Sequence, residues 1–169
     1  MQNTNLRPGK ILVAQHGGTT VLKLVGDVRL TMSTMLDDFI ATMFDEAEFA
    51  SVSIDLTEAD GLDSTTLGLL AKIAIKARQQ FHFTPLLVCG DPSIRRLLDS
   101  MCFNTIFDIR EQSLEQLSDF GELPVAISGE EEVKEKVLEA HRLLMGLSDE
   151  NAERFHELVC SLEAAPTVR

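Results

Sequence analysis

The sequence predicts an α/β fold, a mixed β-sheet of about four to five strands with helices packed on it, followed by a C-terminal helical hairpin. Three observations carry this. Apolar runs of period two alternate with stripes of period 3.6 over the first 110 residues. Strands joined through helices require a largely parallel or mixed sheet covered by those helices. Two amphipathic stripes with recognisable cap residues then close the chain.

Residues 10–15 read as a strand, Gly17-Gly18 as a turn, and residues 20–25 as a second strand, which together suggest a β-hairpin. Gly26-Asp27 breaks the second strand. Residues 32–47 carry Met35, Leu36, Phe39, Ile40 and Met43 at helical spacing. Residues 51–56, Ser-Val-Ser-Ile-Asp-Leu, alternate as a strand, and Asp60-Gly61 reads as a loop. The strongest helix spans 62–81, with the stripe Leu67, Leu70, Ala71, Ala74 and Ala77 and with Ile73 alongside. Asp63 offers a capping side chain, and Lys72, Lys76 and Arg78 lie toward the end where the helix dipole favours cations. Residues 85–89, Pro-Leu-Leu-Val-Cys, suit a strand buried on both faces. Asp91-Pro92 opens a short helix burying Ile94, Leu97 and Leu98, and residues 106–109 form a last short strand.

The chain divides into 1–110, 111–129 and 130–169. In the middle stretch Leu114, Leu117 and Phe120 keep helical spacing before Gly121, Pro124 and Gly129 interrupt it, which suggests a linker with a short helix. In the last stretch, residues 130–145 carry Val133, Val137, Leu138, Leu144 and Met145, and Gly146 suits the C-cap. Ser148 is a good N-cap for residues 148–163, whose stripe is Ala152, Phe155, Val159 and Leu162. Neither helix can bury its stripe alone, so each must pack on the core, on its neighbour or on a partner.

Composition bounds function. At 169 residues and 44% hydrophobic, the chain holds one domain core plus an extension, and the core relies on aliphatic residues, Met and nine Phe because Trp and Tyr are absent. A net charge of −12 argues against nucleic acid and against anionic membrane surfaces, since both are bound through Lys and Arg. Cys89, Cys102 and Cys160 are widely spaced, form no CxxC pair and read as reduced thiols of a cytosolic protein. The sequence shows no signal peptide and no apolar run of the ~18–20 residues a span needs, so a soluble, cytoplasmic protein is expected.

Enzyme signatures are missing. His16, His82, His141 and His156 stand in no metal motif and read as ordinary surface or core residues. There is no GxSxG elbow, Walker loop or GxGxxG. Asp37-Asp38 and residues 130–132 read as solvated helix faces. The pair Arg95-Arg96 is too small a basic patch for nucleic acid.

The segment Asp63-Ser64-Thr65-Thr66-Leu67-Gly68 stands out, with three hydroxyls between an acidic loop and a helix start. An exposed hydroxyl there has a rigidly held backbone. A phosphate on it would lie near free N–H groups and the positive end of the helix dipole. It would also add about −1.5 to −2 charge beside Glu58, Asp60 and Asp63. Capping is the commoner use of Ser and Thr, and spacing alone leaves that reading open.

A family resemblance decides between them. Val52-Ser53-Ile54-Asp55-Leu56 followed by Leu62-Asp63-Ser64-Thr65-Thr66-Leu67-Gly68 resembles the signature of STAS domains, specifically of anti-sigma-factor antagonists. There a Val-x-Ile-Asp-Leu strand leads to Asp-Ser-[Ser/Thr]-Gly-Leu-Gly. Leu24-Val25-Gly26-Asp27-Val28 is similar to the family's Gly-Glu-Leu-Asp turn. The segments 94–99 and 106–109 are similar to its last helix and strand. The resemblance covers residues 10–110. Two positions depart from it: Thr66 replaces the usual Gly, and Arg29 stands where an acidic residue is expected.

The resemblance implies Ser64 as phosphoacceptor and partner contacts at Asp27, Arg29, Asp63, Thr65, Thr66, Leu67 and Gly68. It implies no catalytic residue, metal or cofactor. It further implies partner switching. The unphosphorylated protein binds an anti-sigma factor of stress or flagellar type, a serine kinase phosphorylates Ser64 and breaks the complex, and a PP2C-type phosphatase restores it. A homodimer stays open. The alternative role is a STAS scaffold or sensor module in a larger signalling assembly. The helical extension lies outside the family core.

Overall fold

The structure, a computed structural model, describes residues 6–112 and 117–165. Along the chain come β1 (Lys10–His16), β2 (Thr19–Val28), α1 (Ser33–Asp45), β3 (Ser51–Leu62), α2 (Ser64–Phe81), β4 (Leu86–Val88) and α3 (Pro92–Ser100). Then follow β5 (Asp108–Arg110), β6 (Gly121–Glu122), α4 (Glu130–Met145) and α5 (Asp149–Ala164). One mixed sheet has the order β5-β4-β3-β2-β1-β6. The β1–β2 hairpin is antiparallel, while β2 to β5 run parallel, as crossovers through α1, α2 and α3 require. Its turn takes Gly17 and Gly18 at φ +57 and +83, and a side chain at Gly18 would strike the Glu48 carbonyl.

The alternation read in the sequence sets the buried face. In β3, Val52, Ile54 and Leu56 are buried while Ser51, Ser53 and Asp55 stay partly exposed. Leu22, Leu24, Leu87, Ile40, Met43, Leu70 and Ile73 complete the core. Phe44, Phe49 and Phe81 pack edge-to-face and stacked at one end, in place of the missing Trp and Tyr.

Three expectations need correction. Gly26-Asp27 does not end β2. The strand runs on to Val28 through register shifts on either side of Gly26, which takes φ +73 and lies against the Pro8 carbonyl. Asp60-Gly61 is not a loop, because β3 continues to Leu62 by pairing Gly61 with Asp27 and Leu62 with Val28. In the middle stretch, residues 117–120 are not helical, and Gly121–Glu122 add a sixth strand to the free edge of β1. Leu114 lies outside the described residues.

The two C-terminal helices form where their stripes predict them. Glu130, Glu131 and Glu132 fill the first turn of α4, at the positive end of its dipole. Ser148 caps α5 by accepting from the Asn151 N–H. Ala140, Leu144, Phe155 and Val159 are buried, whereas Val133, Val137 and Leu162 are half-buried. Buried Asn151 donates through Nδ2 to the carbonyls of Met101 and Leu144, both at 3.0 Å, and so ties the hairpin to the loop after α3. Among the described residues no helix is long and apolar enough to cross a membrane.

Candidate functional site

The site is built at the carboxyl end of β3, where the chain turns into α2. Asp63 is the N-cap, and its two oxygens do different work. Oδ1 accepts from the Thr66 N–H at 2.9 Å and closes the first turn of α2. Oδ2 accepts from the Leu30 N–H at 2.6 Å and pins the loop after β2 to the same corner. Thr66 strengthens that tie, its Oγ1 donating to the Val28 carbonyl at 3.2 Å. Arg29 projects from this loop, exposed, with its Nε on Asp27 Oδ2 at 2.7 Å. That hydrogen bond, helped by the charges of Asp27 and Asp63, holds the guanidinium pKa above its ordinary value. The structure thus gathers Asp27 and Arg29 from the end of β2 and the loop after it, and Asp63, Ser64 and Thr66 from the start of α2, into one corner.

The three hydroxyls are not equivalent. Thr65 and Thr66 are each 2% exposed. Ser64, the first residue of α2, is half-buried, and its Oγ lies 2.7 Å from His141 Nε2. The other ring nitrogen, Nδ1, lies 2.6 Å from the Val137 carbonyl. A carbonyl only accepts, so Nδ1 carries the proton and donates to Val137. In the neutral ring Nε2 then accepts from the Ser64 hydroxyl. His141 is itself 2% exposed, with Phe155 edge-on to its ring.

The sequence reading leaves the Ser64 hydroxyl exposed, which the structure corrects, and of the surface or core places it allows His141 the structure shows the core, in contact with Ser64. The reason is α4, which lies across the first half of α2. Gly68, one turn beyond Ser64, meets the α4 backbone directly. A Cβ there would come within 2.3 Å of the Ala140 oxygen and 2.6 Å of its Cα. Leu67 is buried in the core, so Thr65, Thr66, Leu67 and Gly68 offer no side chain to the surface in this conformation.

An ionic cluster fixes the far end of the contact. Asp37 of α1, 6% exposed, accepts from Lys72 of α2 at 2.8 Å and from Lys136 of α4. Lys72 also pairs with Glu139 of α4. Burial pushes the Asp37 carboxyl up. The hydrogen bonds from Lys136 and Lys72 outweigh burial and hold its pKa below the ordinary carboxylate value. Burial lowers Lys72, but its bonds to Asp37 and Glu139 prevail and raise it. Lys136 is raised by its bond to Asp37. Asp37 is therefore a charged junction of three helices rather than part of a solvated face.

Two signals of this arrangement are present in the sequence. Residues 67–71, Leu-Gly-Leu-Leu-Ala, are non-polar one after another, on every side of α2, as in a helix covered by more than a sheet. His141 falls on the stripe of Val137 and Leu144, at i+4 and i+7, where a polar residue must find a partner.

A hydroxyl facing an imidazole lone pair is also the pairing a nucleophile and its base use. Here no carboxylate holds Nδ1, and the next turn of α2 is packed against the α4 backbone. The arrangement serves the packing of α4 on α2. Among the described residues no cluster of three or more His, Cys, Asp or Glu could hold a metal ion.

The STAS domain family model matches residues 10–115. Among solved structures, an anti-sigma factor antagonist from Mycobacterium paratuberculosis shares 21% identity at a TM-score of 0.52, covering 62% of this chain and 87% of that one. The anti-sigma factor antagonist SpoIIAA in its unphosphorylated form shares 14% at a TM-score of 0.51, covering 62% and 89%. At these identities the likeness is one of fold. Comparison with curated proteins finds no match. The family match spans the sheet from β1 to β5 with the helices between them and ends before α4; the chain belongs to the STAS domain family.

Proposed function

We propose that this chain is an anti-sigma-factor antagonist that works by partner switching, with Ser64 as the residue that is switched. The observation that carries the reading is the difference among the three hydroxyls at the start of α2. Thr65 and Thr66 are buried, and Thr66 is committed to the Val28 carbonyl, whereas Ser64 sits at the rim on the first turn. A phosphate there meets helix N–H groups at the positive end of the dipole, and it disturbs the contact with α4 rather than the sheet. Its added charge of about −1.5 to −2 falls beside Asp63 and Arg29, on the corner where the two loops meet. Both solved neighbours are described as anti-sigma factor antagonists, which supports the same role.

In this reading the unphosphorylated form binds an anti-sigma factor in the cytoplasm. A serine kinase breaks the complex by modifying Ser64, and a PP2C-type phosphatase restores it. The chain is a substrate and a binding partner, not a catalyst. The test is a pull-down with wild type, Ser64→Ala and Ser64→Asp in parallel. Wild type and Ser64→Ala should retain the anti-sigma factor, and Ser64→Asp should weaken it at least about tenfold with the sheet intact. Equal capture by all three, with only the melting temperature of Ser64→Asp lowered, would make Ser64 merely structural.

A further inference from the structure

The surface around Ser64 is already occupied. Besides the Ser64–His141 hydrogen bond and the Gly68–Ala140 approach, Lys72 pairs with Glu139 and Asp37 with Lys136. Ala140 and Leu144 have no exposed surface. Every polar group α4 brings to this face therefore meets a complementary group. The family match ends at residue 115, so the occupant lies outside the matched domain, although Ala140, Leu144 and Phe155 join its hydrophobic core.

We propose that the α4–α5 hairpin is an internal ligand of the Ser64 face. It holds the place an external partner helix would take, and a charge on Ser64 expels it. The inference rests on the reading of Ser64 as phosphoacceptor for its trigger, but the steric and electrostatic conflict holds on its own. The Ser64 oxygen is in hydrogen-bond contact with a ring that is itself 2% exposed. A phosphoryl group would need the volume of that ring, and the Ala140 backbone closes the next turn. An ionised group held there without solvent or a full set of partners is strongly disfavoured. Phosphorylation and hairpin docking therefore exclude one another. A docked hairpin also covers the Ser64 hydroxyl that a kinase would have to reach.

The contacts also state what a competing helix must carry. It needs a small residue opposite Gly68, because the α4 backbone approaches Gly68 within Cβ distance there and Ala140 itself has no exposed surface. It needs a carboxylate opposite Lys72 and a cation opposite Asp37. In α4 these are Ala140, Glu139 and Lys136. A partner that displaces the hairpin would present the same three groups on one helical face.

The test uses the full chain, with neither kinase nor partner. Amide hydrogen exchange is compared for wild type, Ser64→Glu and Ala140→Arg, the last a change on the hairpin that leaves the Ser64 face intact. In both variants α4 and α5 should exchange at least about tenfold faster while β1 to β4 stay protected. A labelled peptide spanning residues 130–165 is then added to each chain. It should bind Ala140→Arg, whose face is vacated, and bind neither wild type nor the double variant Ser64→Glu/Ala140→Arg. Wild-type protection of α4 in Ser64→Glu overturns the proposal, as does peptide binding to wild type as tight as to Ala140→Arg. Should Ser64→Glu unfold the sheet, the peptide comparison between wild type and Ala140→Arg decides. Failure of the pull-down alone would remove the proposed partner and leave these outcomes standing.

Discussion

Helices α2 and α3 begin alike and are used differently. Each follows a parallel strand, and each is capped by an aspartate that accepts from a backbone N–H in the first turn, Asp63 from Thr66 and Asp91 from Ser93. Each carries a serine in that turn. The Ser93 hydroxyl donates to its own cap, Asp91 Oδ1, at 2.7 Å and lies exposed. The Ser64 hydroxyl turns away from its cap to His141, under α4. The same local chemistry makes a plain helix start at one corner and a covered hydroxyl at the other. The difference comes from residues far along the chain, not from the cap.

Gly68 should break this contrast most strongly. In a solvent-facing helix, Gly→Ala stabilises by about 0.5–1 kcal/mol. Here the new Cβ would meet the Ala140 backbone, so Gly68→Ala should instead cost about 2–3 kcal/mol or release the hairpin. Urea unfolding with paired helicity measurements gives the sign. A stabilised, fully docked variant would show that the two helices do not touch as described.

Asp37→Asn comes next. It leaves Lys72 and Lys136 without their shared carboxylate, but these lysines are 19% and 20% exposed and recover some hydration. The expected loss at neutral pH is about 2 kcal/mol, below the ~3–5 kcal/mol of a fully buried pair. The sign with pH follows from the lowered pKa of Asp37. Its contribution is present above the ordinary value of 3.8 and is lost as pH falls through the lowered one. Acid titration of stability should therefore converge for wild type and Asp37→Asn at low pH. A difference that persists undiminished there would place the effect outside this ion pair.

The smallest effect sharpens the comparison directly. Ser64→Ala leaves the buried His141 Nε2 without its donor and should cost about 1 kcal/mol. Ser93→Ala removes a solvent-exposed bond and should cost less than about 0.5 kcal/mol. Equal losses in thermal unfolding would erase the distinction between the two helix starts.

The sequence made the sheet legible, because alternation in residues 51–56 and stripes in 62–81 depend on neighbours a few positions away. The cap by Asp63 and the two C-terminal helices were legible for the same reason. The two-residue strand β6 was not, since Gly121–Glu122 has no periodicity and forms only because β1 offers a free edge. The cover over Ser64 was illegible in the same way. It depends on Gly68 meeting Ala140 across about seventy residues of sequence and on Asp37 meeting Lys136 across about a hundred. Individual residues gave hints, such as a histidine on an apolar stripe, but complementarity of two surfaces is visible only once both are folded.

The most direct test of the account is the site of phosphorylation. The full chain is incubated with its cognate serine kinase and ATP, and modified residues are mapped by mass spectrometry in wild type and Ser64→Ala. The account predicts phosphate on Ser64 and none on the buried Thr65 or Thr66, with modification abolished in Ser64→Ala. Phosphate confined to a threonine, or undiminished in Ser64→Ala, would contradict it.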